Sequence, residues 1–124
     1  MQFSNFSYRC QVDNIAELMV HSDLAIGAGG TTAWERCAMG LPSIMISVAN
    51  NQDSICSYLQ KAGAAFFLGK QEFVSMEDLL ETLIKLLGDK KKIHSMSNSA
   101  FSLVDALGTK RVVDTMLENQ TIKQ

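Results

Sequence analysis

Three glycines, Gly27, Gly29 and Gly30, stand within four positions, after a short apolar stretch and before a predicted helix. Because glycine has no side chain, a ligand can approach its backbone amides closely, and the positive end of a helix dipole favours an anion there. The chemistry that this arrangement suits is the binding of a phosphate group. A tight strand-to-helix turn that holds no ligand is the alternative explanation of the same glycines.

The spacing of these glycines fits neither of two common nucleotide-binding motifs. No lysine follows them, as G-x-x-x-x-G-K-[ST] requires, and the third glycine of G-x-G-x-x-G is missing. A kinase or a dehydrogenase is therefore disfavoured, and the ligand has to be inferred from the neighbouring residues.

Two threonines and a glutamate follow the glycines and admit two interpretations. The hydroxyls of Thr31 and Thr32 can donate hydrogen bonds to a phosphate or cap the predicted helix, and Thr32 with Glu35 has the spacing of a capping box. Alternatively, the Glu35 carboxylate, one turn into the helix, accepts hydrogen bonds from both hydroxyls of a ribose. The capping interpretation can apply without a ligand and the binding interpretation with one, so both stay open.

A second polar group, at residues 50–53 (Asn-Asn-Gln-Asp), comes just after a predicted strand. Ligands of open α/β sheets bind beyond the carboxyl ends of the strands, so this position favours contact with a ligand. Capping of the following helix needs one of these side chains and leaves others, such as Asn51 and Gln52, for a substrate. Asp53 is a poor candidate for a general base because no histidine partner is visible.

Strands and helices are predicted to alternate along most of the chain. The predicted strands cover residues 8–12, 24–26, 43–48 and 65–68, and the predicted helices cover residues 15–21, 32–39, 50–62, 76–87 and 93–107, with a last helix from Thr109. Ser75 and Asp78 have the spacing of a capping box at the start of the helix at 76–87. This order predicts an α/β, Rossmann-like three-layer domain with a short parallel sheet of about four strands and a helical C-terminal segment.

We expect one domain at residues 1–124, with an α/β part at 8–70 and a helical part at 75–120. About four strands are fewer than a full doubly wound domain has, so the chain resembles its second half. A strand at residues 8–12 or 24–26 is then expected near an exposed edge, which can pair with another chain.

Composition and charge narrow the function further. Of the 124 residues 47% are hydrophobic and 19% charged, and the net charge of −2 gives no general reason to bind nucleic acid. No apolar run reaches the roughly 18 residues of a membrane span, and the N-terminus lacks a signal-peptide pattern, so a cytoplasmic protein is expected. The cysteines (Cys10, Cys37, Cys56) and histidines (His21, His94) lack metal-ligand spacing, so buried reduced thiols and no metal site are expected.

Three segments together resemble a known family: residues 23–36 (DLAIGAGGTTAWER), 40–43 (GLPS) and 49–52 (ANNQ). They closely resemble the pseudaminic-acid UDP-sugar hydrolases, which belong to the wider MurG-like group, glycosyltransferase family 28, with a GT-B fold. The resemblance extends over about residues 12–87. UDP-sugar glycosyltransferases share the same C-terminal domain and are the closest alternative.

The resemblance implies the UDP-binding half of a GT-B protein. Glu35 matches the family glutamate that holds the ribose hydroxyls, and Val12 falls where the family's main chain pairs with the uracil edge. The residues that match the diphosphate turn are Gly29, Gly30, Thr31 and Thr32. Asn51 and Gln52 match the polar pair that faces the sugar. The implied function is UDP-sugar binding in a hydrolase or glycosyltransferase of cell-surface polysaccharide or nonulosonic-acid (pseudaminic acid-type) biosynthesis, without a cofactor.

The resemblance also implies what this sequence lacks. The family's N-terminal domain, with its glycine-rich loop and catalytic histidine, is not matched, and neither His21 nor His94 corresponds to that histidine. No catalytic residue is therefore assigned, and the chain is expected to be inactive alone. We expect a homodimer or a partner subunit that carries the N-terminal GT-B domain. The alternative is a non-catalytic interaction subunit of a split glycosyltransferase.

Overall fold

The computed structural model describes residues 5–10 and 13–104, and this part of the chain contains one parallel sheet. Its strands are β1 (Ala25–Ala28), β2 (Ser43–Ser47) and β3 (Ala65–Lys70). They lie side by side in the order β1-β2-β3. Ile26 pairs with Ile44, and Ile44 pairs with Phe66, so the carboxyl ends of the three strands lie at one edge of the sheet.

Helices connect and cover these strands. Their bounds are α1 (Ile15–Val20), α2 (Thr32–Ala38), α3 (Asp53–Lys61), α4 (Met76–Leu87) and α5 (Lys90–Leu103). Two single 3-10 turns, Asn50–Gln52 and Gln71–Phe73, come before α3 and α4. Among the helices described, none is both long enough and apolar enough to cross a membrane.

Helices cover both faces of the sheet. Neighbouring residues of β2 point to opposite faces, so the strand is buried on both sides. Met45 is fully buried on one face, where Cys56 of α3 belongs to the same cluster. Ile44 is fully buried on the other face, which α4 covers. Helix α5 contributes Ala100 to the first cluster and Met96 to the second. The protein therefore has the three-layer α/β class that the sequence predicts.

One predicted strand, at residues 8–12, is absent over the part of it that the structure describes. Residues 8–10 are exposed and lie outside any strand, while Gln11 and Val12 lie outside the described residues. The described sheet therefore has three strands, and β1 is one of its edges. A short segment forms a strand only beside a pairing partner, which its own sequence cannot supply. The helix predicted from Thr109 also lies outside the described residues.

Helix α4 begins at the capping box that its sequence predicts. The Ser75 hydroxyl accepts a hydrogen bond from the N–H of Asp78, and the Asp78 carboxylate accepts one from the N–H of Ser75, both at 3.1 Å. These bonds lower the pKa of Asp78 below its ordinary value, first through the backbone N–H of Ser75. The next helix, α5, is capped similarly, since Asp89 accepts from the N–H of Lys92 at 3.0 Å.

Ser75→Ala is expected to lower the free energy of unfolding by about 1 kcal/mol, because the N–H of Asp78 loses its partner. Urea denaturation measures this difference. Ser95→Ala is the matched control, since Ser95 is exposed within α5, and we expect a change within about 0.5 kcal/mol there. Equal effects of the two substitutions would contradict a stabilising cap at Ser75.

Candidate functional site

The glycine turn and the polar segment after β2 meet at the carboxyl edge of the sheet. Gly30 follows β1, and Gln52 ends the 3-10 turn that follows β2. A Cβ atom built at Gly30 would lie 3.6 Å from Nε2 of Gln52. The other end of this amide, Oε1, accepts a hydrogen bond from the N–H of Val48 at 3.0 Å. The parallel strands thus bring together two segments that are about twenty residues apart in the sequence.

Packing within the protein explains two of the three glycines in the turn. None of the three has a φ angle in the left-handed region. A Cβ at Gly27 would lie 2.6 Å from Nη1 of Arg36. A Cβ at Gly29 would collide with the buried Sγ of Cys56 and lie 3.3 Å from the carbonyl oxygen of Gln52. These two positions are therefore explained by the fold without reference to a ligand.

Gly30 differs from the other two glycines. Its nearest neighbour is at an ordinary contact distance and its φ is not positive, so packing does not require glycine there. The N–H groups of Gly30 and Thr31 donate no hydrogen bond within the described residues. Unpaired amides beside the polar side chain of Gln52 suit an anionic ligand. The argument for a ligand at the turn therefore rests on Gly30 more than on the number of glycines.

Helix α2 begins without a side-chain cap. Thr31 is its N-cap residue and has helical angles (φ −59°, ψ −29°), and its side chain makes no capping bond. Thr32 is already inside the helix, so the predicted capping box of Thr32 and Glu35 is wrong, because a cap must precede the helix. The next two N–H groups bond to carbonyls of the turn at 3.0 and 3.1 Å. Thr31, Thr32 and Glu35 are all exposed.

The polar segment after β2 forms the 3-10 turn Asn50–Gln52 and not the first turn of α3. Gln52 is the N-cap residue of α3 and makes no side-chain capping bond, so the predicted cap from Asn50 or Asn51 is wrong. The tighter turn separates the asparagines from the first N–H groups of α3. Asn51 is exposed and Gln52 is partly buried, so the two side chains differ in their access to a ligand.

The carboxylate of Asp53 forms an ion pair with another residue of the protein. Its Oδ2 lies 3.4 Å from Nζ of Lys70, and its Oδ1 is buried without a hydrogen-bond partner. The neighbouring Ser47 side chain and then Lys70 lower the pKa of Asp53, while the hydrogen bond that the Ser47 hydroxyl donates goes to the carbonyl of Ala49 at 2.9 Å and not to Asp53. A carboxylate with a lowered pKa is a weak proton acceptor at neutral pH, so Asp53 is unsuited to act as a general base.

Sequence reasoning does not identify Arg36. This residue of α2 is only 6% exposed, and its Nη2 donates a hydrogen bond to the carbonyl of Ala28, the last residue of β1, at 2.8 Å. Burial lowers the pKa of Arg36 from its ordinary value, although a guanidinium stays protonated at neutral pH. The one signal in the sequence is the position of Arg36, which follows Ala33 by three residues and precedes Cys37. The structure buries all three residues on the same side of α2.

The remaining predicted residues have separate outcomes. Val12 lies outside the described residues. Cys37 and Cys56 are buried free thiols, as expected, and burial raises the pKa of both. Cys10 is exposed, contrary to the expectation, because all of residues 5–10 are exposed and do not join the core. Over residues 5–10 and 13–104, no group of histidine, cysteine, aspartate and glutamate side chains could hold a metal ion.

These features define a class of protein. It is a parallel α/β domain with a glycine turn and a polar segment at the carboxyl edge of the sheet, the place where open α/β sheets bind ligands. The sequence profile described as "Glycosyltransferase family 28 C-terminal domain" matches residues 2–114. The chain belongs to this family.

Several curated proteins are similar to this chain. The enzyme "UDP-N-acetylglucosamine--N-acetylmuramyl-(pentapeptide) pyrophosphoryl-undecaprenol N-acetylglucosamine transferase" of Hahella chejuensis is 33% identical over 107 residues, which are 82% of this chain and 29% of the relative. The enzyme of the same name from Marinobacter nauticus is 35% identical over 119 residues, which are 92% of this chain and 32% of that relative.

A third relative has a different printed function. "Spore coat polysaccharide biosynthesis protein SpsG" of Bacillus subtilis is 30% identical over 102 residues, which are 82% of this chain and 30% of the relative. The chain thus spans about a third of the length of the curated relatives it matches. The activities of those whole proteins are therefore a basis for proposals about this chain.

Proposed function

We propose that this chain is the UDP-sugar-binding domain of a nucleotide-sugar transferase or hydrolase. The turn of residues 29–32 binds the diphosphate, Glu35 binds the ribose hydroxyls, and Asn51 and Gln52 face the sugar. Val12, outside the described residues, is proposed to pair through its main chain with uracil. Membership of the glycosyltransferase family 28 C-terminal domain family supports this proposal, as do the printed names of the transferase relatives.

One observation carries the proposal: the side chain of Gln52 lies beside Gly30 without packing against it so tightly that glycine is required. At this point two unpaired N–H groups, of Gly30 and Thr31, lie beside the exposed side chains at the start of α2. The amide Nε2 of Gln52 faces the same space, because its Oε1 is held by the N–H of Val48. Donors from two segments therefore lie close together at the carboxyl edge of the sheet, an arrangement that suits an anionic group.

The reaction of the whole protein is proposed from its relatives. Two relatives are named for transfer of N-acetylglucosamine and one for polysaccharide biosynthesis. We propose a role in cytoplasmic biosynthesis of cell-surface polysaccharide or nonulosonic acid, by hydrolysis or transfer on a UDP-sugar of the pseudaminic-acid type. No catalytic residue is assigned to this chain, which is proposed to be a single binding domain, residues 1–124, inactive without a second domain.

A second candidate function is that of a non-catalytic interaction subunit, or of a homodimer. The apolar side chains left uncovered in the described residues favour it: Ile26 on the edge strand β1 is 47% exposed, and α4 has an exposed row of apolar side chains. The members of this row are Met76, Leu80, Ile84 and Leu87. Light scattering distinguishes the cases, since a monodisperse monomer that binds UDP would contradict an obligate partner.

Glu35→Ala is expected to weaken UDP binding by roughly tenfold to a hundredfold. The reason is that one or two hydrogen bonds from the ribose hydroxyls to a charged carboxylate are lost. Calorimetry measures the affinity, and NMR of the amides of residues 29–35 reports where UDP binds. Glu81→Ala is the matched control, because Glu81 is exposed on α4 and does not belong to the proposed site.

A second nucleotide separates ribose recognition from other roles of Glu35. The 2′-deoxy analogue of UDP lacks one of the hydroxyls that Glu35 is proposed to accept. The unmodified protein should therefore prefer UDP over the analogue, and Glu35→Ala should reduce this preference. If UDP leaves the amides of residues 29–35 unperturbed, the proposed site is wrong. If the preference survives Glu35→Ala, ribose recognition lies elsewhere.

A further inference from the structure

Arg36 lies directly behind the turn that follows β1. Its Nη2 donates to the carbonyl of Ala28 at 2.8 Å, and its Nη1 lies 2.6 Å from the position that a Cβ of Gly27 would take. The guanidinium therefore packs against the last two residues of β1. The turn of residues 29–32 begins at the next residue along the chain.

Among the described residues no carboxylate forms an ion pair with this guanidinium, and the neighbouring Glu35 attracts it electrostatically without contact. The ion pair found there joins Lys70 and Asp53, and Nε of Arg36 is buried without a hydrogen-bond partner. An unpaired buried charge destabilises a fold, because the lost hydration is not replaced. The rest of the buried side of α2 is small and apolar, with Ala33 and Cys37, so the charge is not explained by the neighbouring core residues.

One hydrogen bond to a backbone carbonyl does not require a full positive charge. A neutral donor of similar length could bond to Ala28 without the cost of burying an ion. A buried cation without an anion does, however, create a positive potential in its surroundings, and low-dielectric protein screens that potential much less than water does. The carbonyl that the guanidinium contacts, that of Ala28, lies two residues before Gly30, whose N–H is unpaired like that of Thr31.

We propose that Arg36 is a positioning residue of the UDP site, whose buried charge favours the diphosphate at the glycine turn without touching it. This inference rests on the proposed function, and it adds a residue that acts on the phosphate part of the ligand alone. The nucleoside part carries no charge, so the potential of Arg36 contributes little to its binding. The affinity that the two phosphates add to uridine should therefore depend on Arg36.

The test compares UDP with uridine on the unmodified protein and on three variants. Arg36→Met removes the charge and keeps a flexible apolar chain, Arg36→Lys keeps a charge, and Lys85→Met removes an exposed charge on α4 as the matched control. Calorimetry should give a UDP affinity about tenfold or more lower for Arg36→Met, with the uridine affinity within about twofold. Arg36→Lys should retain most of the UDP affinity, and Lys85→Met should retain all of it.

The outcomes separate the inference from the proposed function. If the unmodified protein does not bind UDP, both fail. If it binds UDP and Arg36→Met binds equally well, only the role of Arg36 is overturned. An equal loss for UDP and uridine would also overturn it, because a purely structural role of Arg36 would weaken both ligands alike. Circular dichroism and thermal unfolding establish that each variant is folded before titration.

A measurement on the unmodified protein can overturn the inference even if neither Arg36 variant folds. A buried charge is screened little by salt, whereas exposed charges lose most of their effect at high ionic strength. The ratio of UDP to uridine affinity should therefore change by less than about threefold between about 0.05 and about 0.5 M KCl. A ratio that falls by more than about tenfold would assign the phosphate preference to exposed charges and overturn the inference.

Discussion

Gly29→Ala is expected to lower the free energy of unfolding by about 1–3 kcal/mol. The added methyl group would collide with Sγ of Cys56, which is 0% exposed, and would lie 3.3 Å from the carbonyl oxygen of Gln52. Neither neighbour can move away easily, since the sulfur lies in the core and the carbonyl belongs to the backbone. The smaller conformational freedom of the unfolded alanine variant returns about 0.4–1 kcal/mol at most, which does not offset this strain.

A double-mutant cycle identifies the obstacle to a side chain at Gly29. In a Cys56→Ala background the sulfur is gone, so Gly29→Ala should cost at least about 1 kcal/mol less than it costs in the original chain. Urea denaturation of the four proteins gives the coupling energy. Additive effects of the two substitutions would show that Cys56 is not the obstacle.

The control for this cycle is Gly88→Ala, at the end of α4. Gly88 has a φ of −83°, and its added Cβ would meet no atom closer than 3.4 Å, so nothing in the structure opposes the methyl group strongly. We expect a change in the free energy of unfolding within about 1 kcal/mol. A loss at Gly88 as large as that at Gly29 would mean that the cost is general to Gly→Ala exchange.

Gly30→Ala is expected to have the opposite pattern, with a nearly unchanged fold and a large loss of UDP binding. Its methyl group would lie 3.6 Å from Nε2 of Gln52, an ordinary contact, so the free energy of unfolding should change by less than about 1 kcal/mol. The same methyl group occupies the space through which the diphosphate is proposed to approach the unpaired N–H groups. The UDP affinity should fall by roughly tenfold to a hundredfold, or about 1.4–2.7 kcal/mol.

Adjacent glycines then serve as controls for each other. Gly29→Ala should mainly lower the free energy of unfolding, whereas Gly30→Ala should mainly lower the UDP affinity. Urea denaturation and UDP calorimetry on both variants measure these two quantities. Unchanged UDP affinity in Gly30→Ala would place the ligand elsewhere on the protein. Strong destabilisation by Gly30→Ala would mean that packing requires this glycine too, and the main structural argument for a ligand would be lost.

The class of fold and both ends of α4 could be predicted because they depend on local patterns, whereas α5 was predicted at residues 93–107 and spans Lys90–Leu103. The apolar residues of β2 follow one another nearly without interruption, which is typical of a strand covered on both faces, and Ile44 and Met45 are indeed buried on opposite faces. The capping box of Ser75 and Asp78 is confirmed, since both of its hydrogen bonds close within four residues. Interactions of this range are contained in the sequence itself.

The predicted caps of α2 and α3 were wrong because the chain can begin each helix in more than one local conformation. Thr32 and Glu35 have the spacing of a capping box, but the backbone of Thr31 is already helical and places Thr32 inside α2. Asn50 and Asn51 are good capping residues, yet the 3-10 turn places them before α3 and not at its start. A shift of one residue or one turn changes which N–H groups a side chain can reach, and the sequence pattern does not fix that shift.

The sequence by itself determined that strands alternate with helices, and that a glycine turn and a polar segment each follow a strand. Since parallel strands share a carboxyl edge, this order was enough to bring Gly30 near Gln52. Only the tertiary structure decided why each glycine is present: Gly27 makes room for Arg36, Gly29 makes room for Cys56, and only at Gly30 would an added Cβ make no contact shorter than 3.6 Å. The reason is physical, because the room around a backbone atom depends on side chains from distant parts of the chain, which no local pattern specifies.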